Sequence, residues 1–219
     1  MYTTIDWHIE DDVGHLVLNQ PPTNRMNLLF FEELDHLTSN IIPQSDLKAL
    51  LIYGKGRHFS SGAELSDIID SSAKESESEN IMFERLSINN RSFLNIYKLP
   101  IPVVSAIKGI CLGSAFEMVM FSHFRFSSHE AILGLPEVTF DLMPGCGGTQ
   151  RLTELLGRAK AMEMMLSGNS IMAEEALSLQ IVDKIITKKE LRDFSLEFIR
   201  QIADAYSHRN IPFYKQRFL

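Results

Sequence analysis

Apolar and polar residues alternate through Ile5, Trp7 and Ile9, and a second β-rich run covers residues 13–19. A period of two marks a strand with one buried face, so the chain is expected to open with two strands turned at Asp11-Asp12. Pro21-Pro22 ends that unit. Over residues 28–42 the period becomes helical: Phe30, Phe31, Leu34, Leu37 and Ile41 share one side, while Glu32, Glu33 and Asp35 fall elsewhere. Pro43 is expected to stop this helix, because the residue before a proline is pushed out of helical geometry. Residues 49–53 and 103–107 read as buried strands, each delivering a glycine-bearing segment, and residues 190–205 as a further helix. Short strands alternating with helices predict an α/β fold.

A chain of 219 residues with 45% hydrophobic composition is long and apolar enough for one domain with a sizeable core. Its net charge of −7, with no lysine- or arginine-rich stripe, argues against a nucleic-acid partner. The only two cysteines, Cys111 and Cys146, lack the spacing of a metal site or disulfide framework, which fits a reducing cytoplasm. Residues 1–10 are polar and acidic rather than a secretory leader, and no apolar run is long enough to cross a bilayer, so a soluble protein is expected. Residues 66–80 are rich in Ser, Glu and Asp, a composition that predicts a solvated loop; their place after a glycine-bearing segment also suits a substrate lid.

Two glutamates break the apolar pattern. Glu117 lies within Ser114-Ala-Phe-Glu-Met-Val-Met120, and Glu137 follows Leu135-Pro136. A carboxylate among hydrophobes costs several kcal/mol unless something uses or pairs it. General acid/base chemistry is one explanation; an ion-paired helix residue and a turn carboxylate are the plainer ones. Around them stand three glycine-bearing segments, Gly54-Lys-Gly-Arg-His-Phe-Ser-Ser-Gly-Ala-Glu-Leu65, Lys108-Gly-Ile-Cys-Leu-Gly-Ser114 and Met143-Pro-Gly-Cys-Gly-Gly-Thr-Gln-Arg-Leu152. The first lacks the Gly-Lys-Ser/Thr ending of a phosphate-binding P-loop. His58 and His129 have no partners at metal-ligand spacing and read as satisfied loop or core histidines, so no metal is assigned. Met162, Met164 and Met165 suit an adaptable core or a subunit contact.

These segments, in this order and joined by Ala173-Glu-Glu-Ala-Leu177, resemble the crotonase family of enoyl-CoA hydratases and isomerases from about Leu18-Asn19 to about Val182-Asp183. The resemblance implies a superhelix of strand-strand-helix units with C-terminal helices. Residues 1–168 would form the core with the coenzyme A thioester site, and 169–219 a shortened C-terminal helical region of the same domain. It implies backbone N–H groups of Ala63 and Ser114 as an oxyanion hole, Ser114 opening the helix that carries Glu117. Serine stands there where the family often has glycine. Glu117 would be the base acting on water and Glu137 the acid protonating C2, held protonated at neutral pH by its surroundings. Gly145 would lie against the catalytic water, or simply make a tight turn before a helix starting near Thr149.

Coenzyme A would contact Arg25, Met26, Ser61, Ala63, Glu64 and Leu65; Arg25 would meet a phosphate or remain a surface arginine. Asp141, where the family frequently has a small residue, would place a third carboxylate near the acyl group. Tyr214, Lys215 and Arg217 would replace lost phosphate contacts or form a frayed end. The implied activity is hydration of a 2-enoyl-CoA, since both glutamates are kept, in a homotrimer or hexamer with no cofactor beyond the coenzyme A of the substrate. An isomerase, an enzyme of cyclic or polyketide-type thioesters, and a non-catalytic acyl-CoA-binding subunit are the alternatives.

Overall fold

The structure, a computed structural model, describes residues 2–64 and 78–207, the side chains of 78–85 and of 206 and 207 excepted. Strands β1 (Ile5–Glu10) and β2 (Val13–Leu18) pair antiparallel, Ile5 opposite Leu18 and Glu10 opposite Val13. Asp11 and Asp12 turn between them with φ of 48° and 62°. That left-handed pair suits a two-residue hairpin, and short polar side chains tolerate it best after glycine. β2 is buried along its length because β3 (Ala49–Gly54) runs parallel on its other side.

Helix α1 (Leu28–His36) makes the crossover, capped by Asn27, whose side chain accepts the Phe30 N–H at 3.0 Å. The expected helix over 28–42 changes form on the way. A wider turn over Leu37–Ile41 and a tight one over Ile42–Gln44 complete it, and Pro43 sits inside the last turn rather than beyond it. Glu33, expected on the polar side, is buried, its carboxylate accepting the Thr3 and Thr4 N–H groups at 2.6 and 2.8 Å and the Thr4 hydroxyl. Burial works to raise its pKa, but these donors outweigh it and hold the carboxyl below its ordinary value.

The remaining elements are α2 (Ser78–Lys98), β4 (Val103–Ile107), β5 (Ile110–Leu112), α3 (Ser114–Val119), β6 (Phe124–Ser128), β7 (Ile132–Gly134), α4 (Gly148–Leu156), α5 (Arg158–Ser167), β8 (Ser170–Met172), α6 (Ala173–Ser178), β9 (Lys184–Ile186) and α7 (Leu191–Ser207). They build a six-stranded sheet in the order β1-β2-β3-β4-β6-β9 and a three-stranded one, β5-β7-β8. A repeat emerges that the residues do not announce. β4 and β6 each pair in the large sheet and are followed by β5 and β7 in the small one; after β3, Ser60 forms a parallel bridge to Cys111 of β5. Each unit therefore turns the chain from one sheet into the other, and the glycine-bearing segments stack at the corner.

Alternation decides which core each strand residue joins. Leu50 and Ile52 of β3 enter the main core, whereas Ala49 and Leu51 face α7 with Leu191, Ile199 and Ala203. The region beyond residue 168, expected as helices, also completes both sheets: β8 pairs with β7 and β9 with β6. Strands of three residues are too short to show a period in sequence. No described helix is long and apolar enough to cross a membrane.

Arg125 ties this last region down. It is buried, and its guanidinium donates to the Ile181 and Ser122 carbonyls at 2.6 and 2.7 Å, with Asp183 3.7 Å away. Arg125→Met is expected to lower stability by about 2 kcal/mol, because both carbonyls lose a charged donor in a dry setting. Chemical denaturation would show it, and an unchanged midpoint would contradict it.

Candidate active site

Glu117 occupies the one-turn-and-a-half helix α3, all six of whose residues are buried. Gly113 precedes it with φ 56° and ψ −131°, a conformation open to glycine, and turns the chain from β5 into the helix. Glu117 is only 1% exposed. Its Oε1 accepts the backbone N–H of Cys146 at 2.9 Å and of Gly148 at 2.7 Å. A Cβ on Gly148 would fall 2.6 Å from that oxygen, so glycine is what lets the N–H come so close. Arg151 of α4 reaches back to the Met120 carbonyl at the end of α3, with Nε at 3.1 Å, and fixes the two helices to each other.

Glu137 opens a single tight turn over Glu137–Phe140. Its Oε2 is buried and accepts nothing from the described residues. A Cβ on Gly113 would meet its Oε1 at 3.2 Å, which brings this carboxyl against the start of α3. Both glutamates line one cavity of about 470 Å3. Most of the rest of its wall is apolar, including Met26, Phe31, Leu86, Leu112, Phe140 and Met143.

The low-polarity wall sets the titration. Burial, reinforced by the charge of Glu137, pushes Glu117 from its ordinary 4.5 up to about 7, against the pull of the Gly148 and Cys146 N–H groups. Burial raises Glu137 as well. Both carboxyls of the cavity are thus shifted toward the protonated form by their dry surroundings.

A carboxyl raised on folding stabilises the fold below its unfolded pKa and withdraws that contribution as pH climbs toward its folded value. For Glu117 the window is 4.5 to about 7, and the withdrawn contribution is on the order of 3 kcal/mol. Melting temperature is thus expected to fall from about pH 4.5 to about pH 7 relative to Glu117→Gln, which has no such proton to lose. Parallel melting curves for the two proteins across that range would contradict it.

Ala63 and Ser114 both line the cavity. Around Ala63 the neighbouring N–H groups are spent: Ser61 on the Thr23 carbonyl, Gly62 on the Ser60 hydroxyl and Glu64 on the Met26 carbonyl. The Ala63 N–H has no acceptor among the described residues, and that of Ser114, first in its helix, has no intrahelical one. Gly62, at φ +86°, joins them: a Cβ there would lie 2.5 Å from the Leu112 carbonyl oxygen and 3.4 Å from the Ser114 nitrogen. Two unspent donors thus flank one corner of the cavity. Asn24, unforeseen in the sequence, pins this loop by donating to the carbonyls of Lys55, His58 and Phe59 at 2.9, 3.0 and 3.0 Å.

Arg25, Met26, Ser61, Glu64 and Gly145 line the same cavity. Arg25 is not free, however, since its guanidinium holds both Glu64 oxygens at 2.8 Å. A Cβ on Gly145 would stand 2.7 Å from Leu86 Cδ2, the movable end of a side chain. Asp141 departs from expectation: it is exposed, ends the Glu137 turn at φ 56°, and does not line the cavity. It therefore places no third carboxylate on the wall of this cavity. Leu65, residues 66–77, and Tyr214, Lys215 and Arg217 lie outside the described residues. His58 accepts the Ile110 N–H at 3.1 Å, a satisfied loop histidine, and the exposed His129 stands 3.3 Å from Glu174.

Cys146 was read only for its redox meaning. Its buried thiol is pushed well above the ordinary range by burial and the charge of Glu117. Nothing in its sequence setting marks it, or the Cys146 and Gly148 N–H groups, as the anchors of Glu117.

The family described as enoyl-CoA hydratase/isomerase matches residues 8–216. A curated relative from Bacillus subtilis, named a probable enoyl-CoA hydratase, is 34% identical over 174 residues, covering 80% of this chain and 66% of the relative. The chain thus spans slightly under two thirds of that relative's length. Among solved structures, an enoyl-CoA hydratase from Bacillus anthracis superposes with a TM-score of 0.82 at 29% identity, covering 92% of this chain and 77% of the other. One from Geobacillus kaustophilus gives 0.86 at 26% identity, covering 96% and 79%. With its two-sheet repeat and a family match along most of its length, this chain has the crotonase fold and belongs to the enoyl-CoA hydratase/isomerase family.

Proposed function

We propose that the protein is an enoyl-CoA hydratase, adding water across the 2,3 double bond of an enoyl-CoA thioester. The observation that carries this reading is the pair Glu117 and Glu137, both raised by burial, on the wall of one largely apolar cavity. The thioester oxygen sits between the N–H groups of Ala63 and Ser114. As water attacks C3, electron density moves through C2 onto that oxygen, and each fixed donor is worth about 3 kcal/mol to the charge that builds there. One carboxylate of the pair takes the proton from water, and the other carboxylic acid gives one to C2 as the carbonyl re-forms. The pair ends with as many protons as it began with. Glu117 is the better placed base, because two backbone donors hold its carboxylate in one orientation.

Coenzyme A lies along Met26 and Ser61 to Glu64, its carrier arm reaching the cavity past Arg25. The Arg25 side chain is 58% exposed, and an ion pair as exposed as this one contributes little, so a phosphate exchanges for Glu64 there at small cost. Carbon–oxygen bond formation and proton transfer are completed by these groups alone, with coenzyme A present only as part of the substrate.

The test is product mass from short- and medium-chain 2-enoyl-CoAs. A product heavier by one water, with loss of the conjugated absorbance, is expected. A product of unchanged mass with a moved double bond would make the protein an isomerase, and saturable binding with no turnover would leave it a binding subunit.

A further inference from the structure

The most anomalous polar group outside the cavity is His15. Its side chain is 3% exposed, yet neither ring nitrogen has a hydrogen-bond partner among the described residues. A buried imidazole with both nitrogens idle calls for an explanation, and an ion is one of the few that serve. Its surroundings supply the other donors. His8 is its cross-strand partner in the β1–β2 register; the two rings stack 9° from parallel with centroids 4.7 Å apart, so the exposed His8 ring must turn for both imidazoles to meet one ion. Glu10, two residues along β1, projects to the same face. One donor atom from each of the three lies within 4.8 Å of the others, and Glu10 Oε2 stands 3.9 Å from His15 Nε2.

We propose that His8, Glu10 and His15 form a binding site for a divalent transition metal of the zinc class, clamping edge strand β1 onto β2. The 3.9 Å gap is too long for a hydrogen bond. It exceeds the edge of about 3.4 Å that ligands at about 2.1 Å span in a tetrahedral site, so the three donors, now within 4.8 Å of one another, draw together on the ion. Two imidazoles and one carboxylate select zinc-like ions over magnesium or calcium, which favour all-oxygen shells. Asp6 Oδ1, 3.4 Å from His8 Nδ1, is placed to orient that imidazole from outside the ligand set.

Burial, with His8 next, lowers the pKa of His15 and keeps it in the neutral form that binds metal. Arg192 and Arg200 of α7 also face His15, but Arg192 is 3.2 Å from Asp193 and Arg200 2.7 Å from Asp11, which offsets their charge. None of the three ligands lines the catalytic cavity. The site is therefore independent of the hydratase reading.

Calorimetric titration of the untagged full-length chain with zinc chloride tests it. One site per chain is expected, weakened about tenfold or more in His8→Ala and in Glu10→Gln. Their side chains are 44% and 60% exposed, so both variants keep the fold. Cobalt(II) is expected to give the visible bands of a tetrahedral ion, lost in the same variants. An isotherm that neither substitution changes, or a cobalt spectrum like that of the ion in water, overturns the proposal.

Discussion

Glu117→Gln is expected to lower turnover of a 2-enoyl-CoA by about 10³-fold, the range of a positioned general acid or base, which corresponds to about 4 kcal/mol of transition-state stabilisation. Glutamine fits the same space, and its oxygen can still accept the Cys146 and Gly148 N–H groups that anchor the native carboxylate. The variant loses the titrating group and little else, so KM and fold should hold while kcat collapses. Glu137→Gln is expected to fall comparably, because the pair works by passing one proton in and one out. The double variant should then be little worse than either single one, since groups that act as a unit are not additive. A kcat within tenfold of the parent in Glu117→Gln would remove it from the chemistry.

Gly62→Ala is expected to strike both stability and rate. At φ +86° an alanine is strained, and its Cβ would lie 2.5 Å from the Leu112 carbonyl oxygen, a backbone atom with no rotamer to change. The combined cost should be about 2–4 kcal/mol. Because the same Cβ would stand 3.4 Å from the Ser114 nitrogen, the segments bearing the two donor N–H groups must part. Turnover below the melting temperature should drop by about tenfold to a hundredfold. Gly157→Ala separates strain from collision, since φ there is +75° but nothing lies within 4 Å of the added atom. Its φ/ψ of 75° and 163° is a region almost closed to other residues, so it should cost about 1–3 kcal/mol and leave the rate unchanged. Equal effects at the two glycines would show that the close approach of Gly62 to Leu112 does not matter.

Much of the site was legible because it breaks local rules. Carboxylates in the apolar runs at Glu117 and Glu137 contradict the expected pattern of burial, and such conflicts collect at functional positions. The glycines around them are written in the chain for the same reason, as places where a side chain would collide. What escaped was whatever depends on the backbone of a distant segment. The Cys146 and Gly148 N–H groups that hold Glu117 carry no residue signature, and Asn24 meets three carbonyls more than thirty positions away. Glu33 reads as a solvent-facing helix acid until the start of β1 brings Thr3 and Thr4 over it. Asp141, which the resemblance put near the acyl group, instead ends the turn over residues 137–140 as an exposed residue in a left-handed conformation.

The fold class followed from alternating strands and helices, but its two-sheet repeat did not. β5, β7, β8 and β9 have three residues each, fewer than a period of two needs to be recognised, and α2 begins within a stretch too polar to suggest a helix. Their pairing is settled by the tertiary contacts of the units they close.

The most direct test of two-carboxyl hydration is a doubly labelled turnover: enoyl-CoA in water enriched in oxygen-18 and deuterium, with products of the parent, Glu117→Gln and Glu137→Gln resolved by mass and by the position of each label. The expected result is heavy oxygen at C3 and deuterium at C2 in the same 3-hydroxyacyl-CoA, made by the parent and lost in both variants. Deuterium uptake without heavy oxygen, or double labelling that persists in either variant, would contradict it.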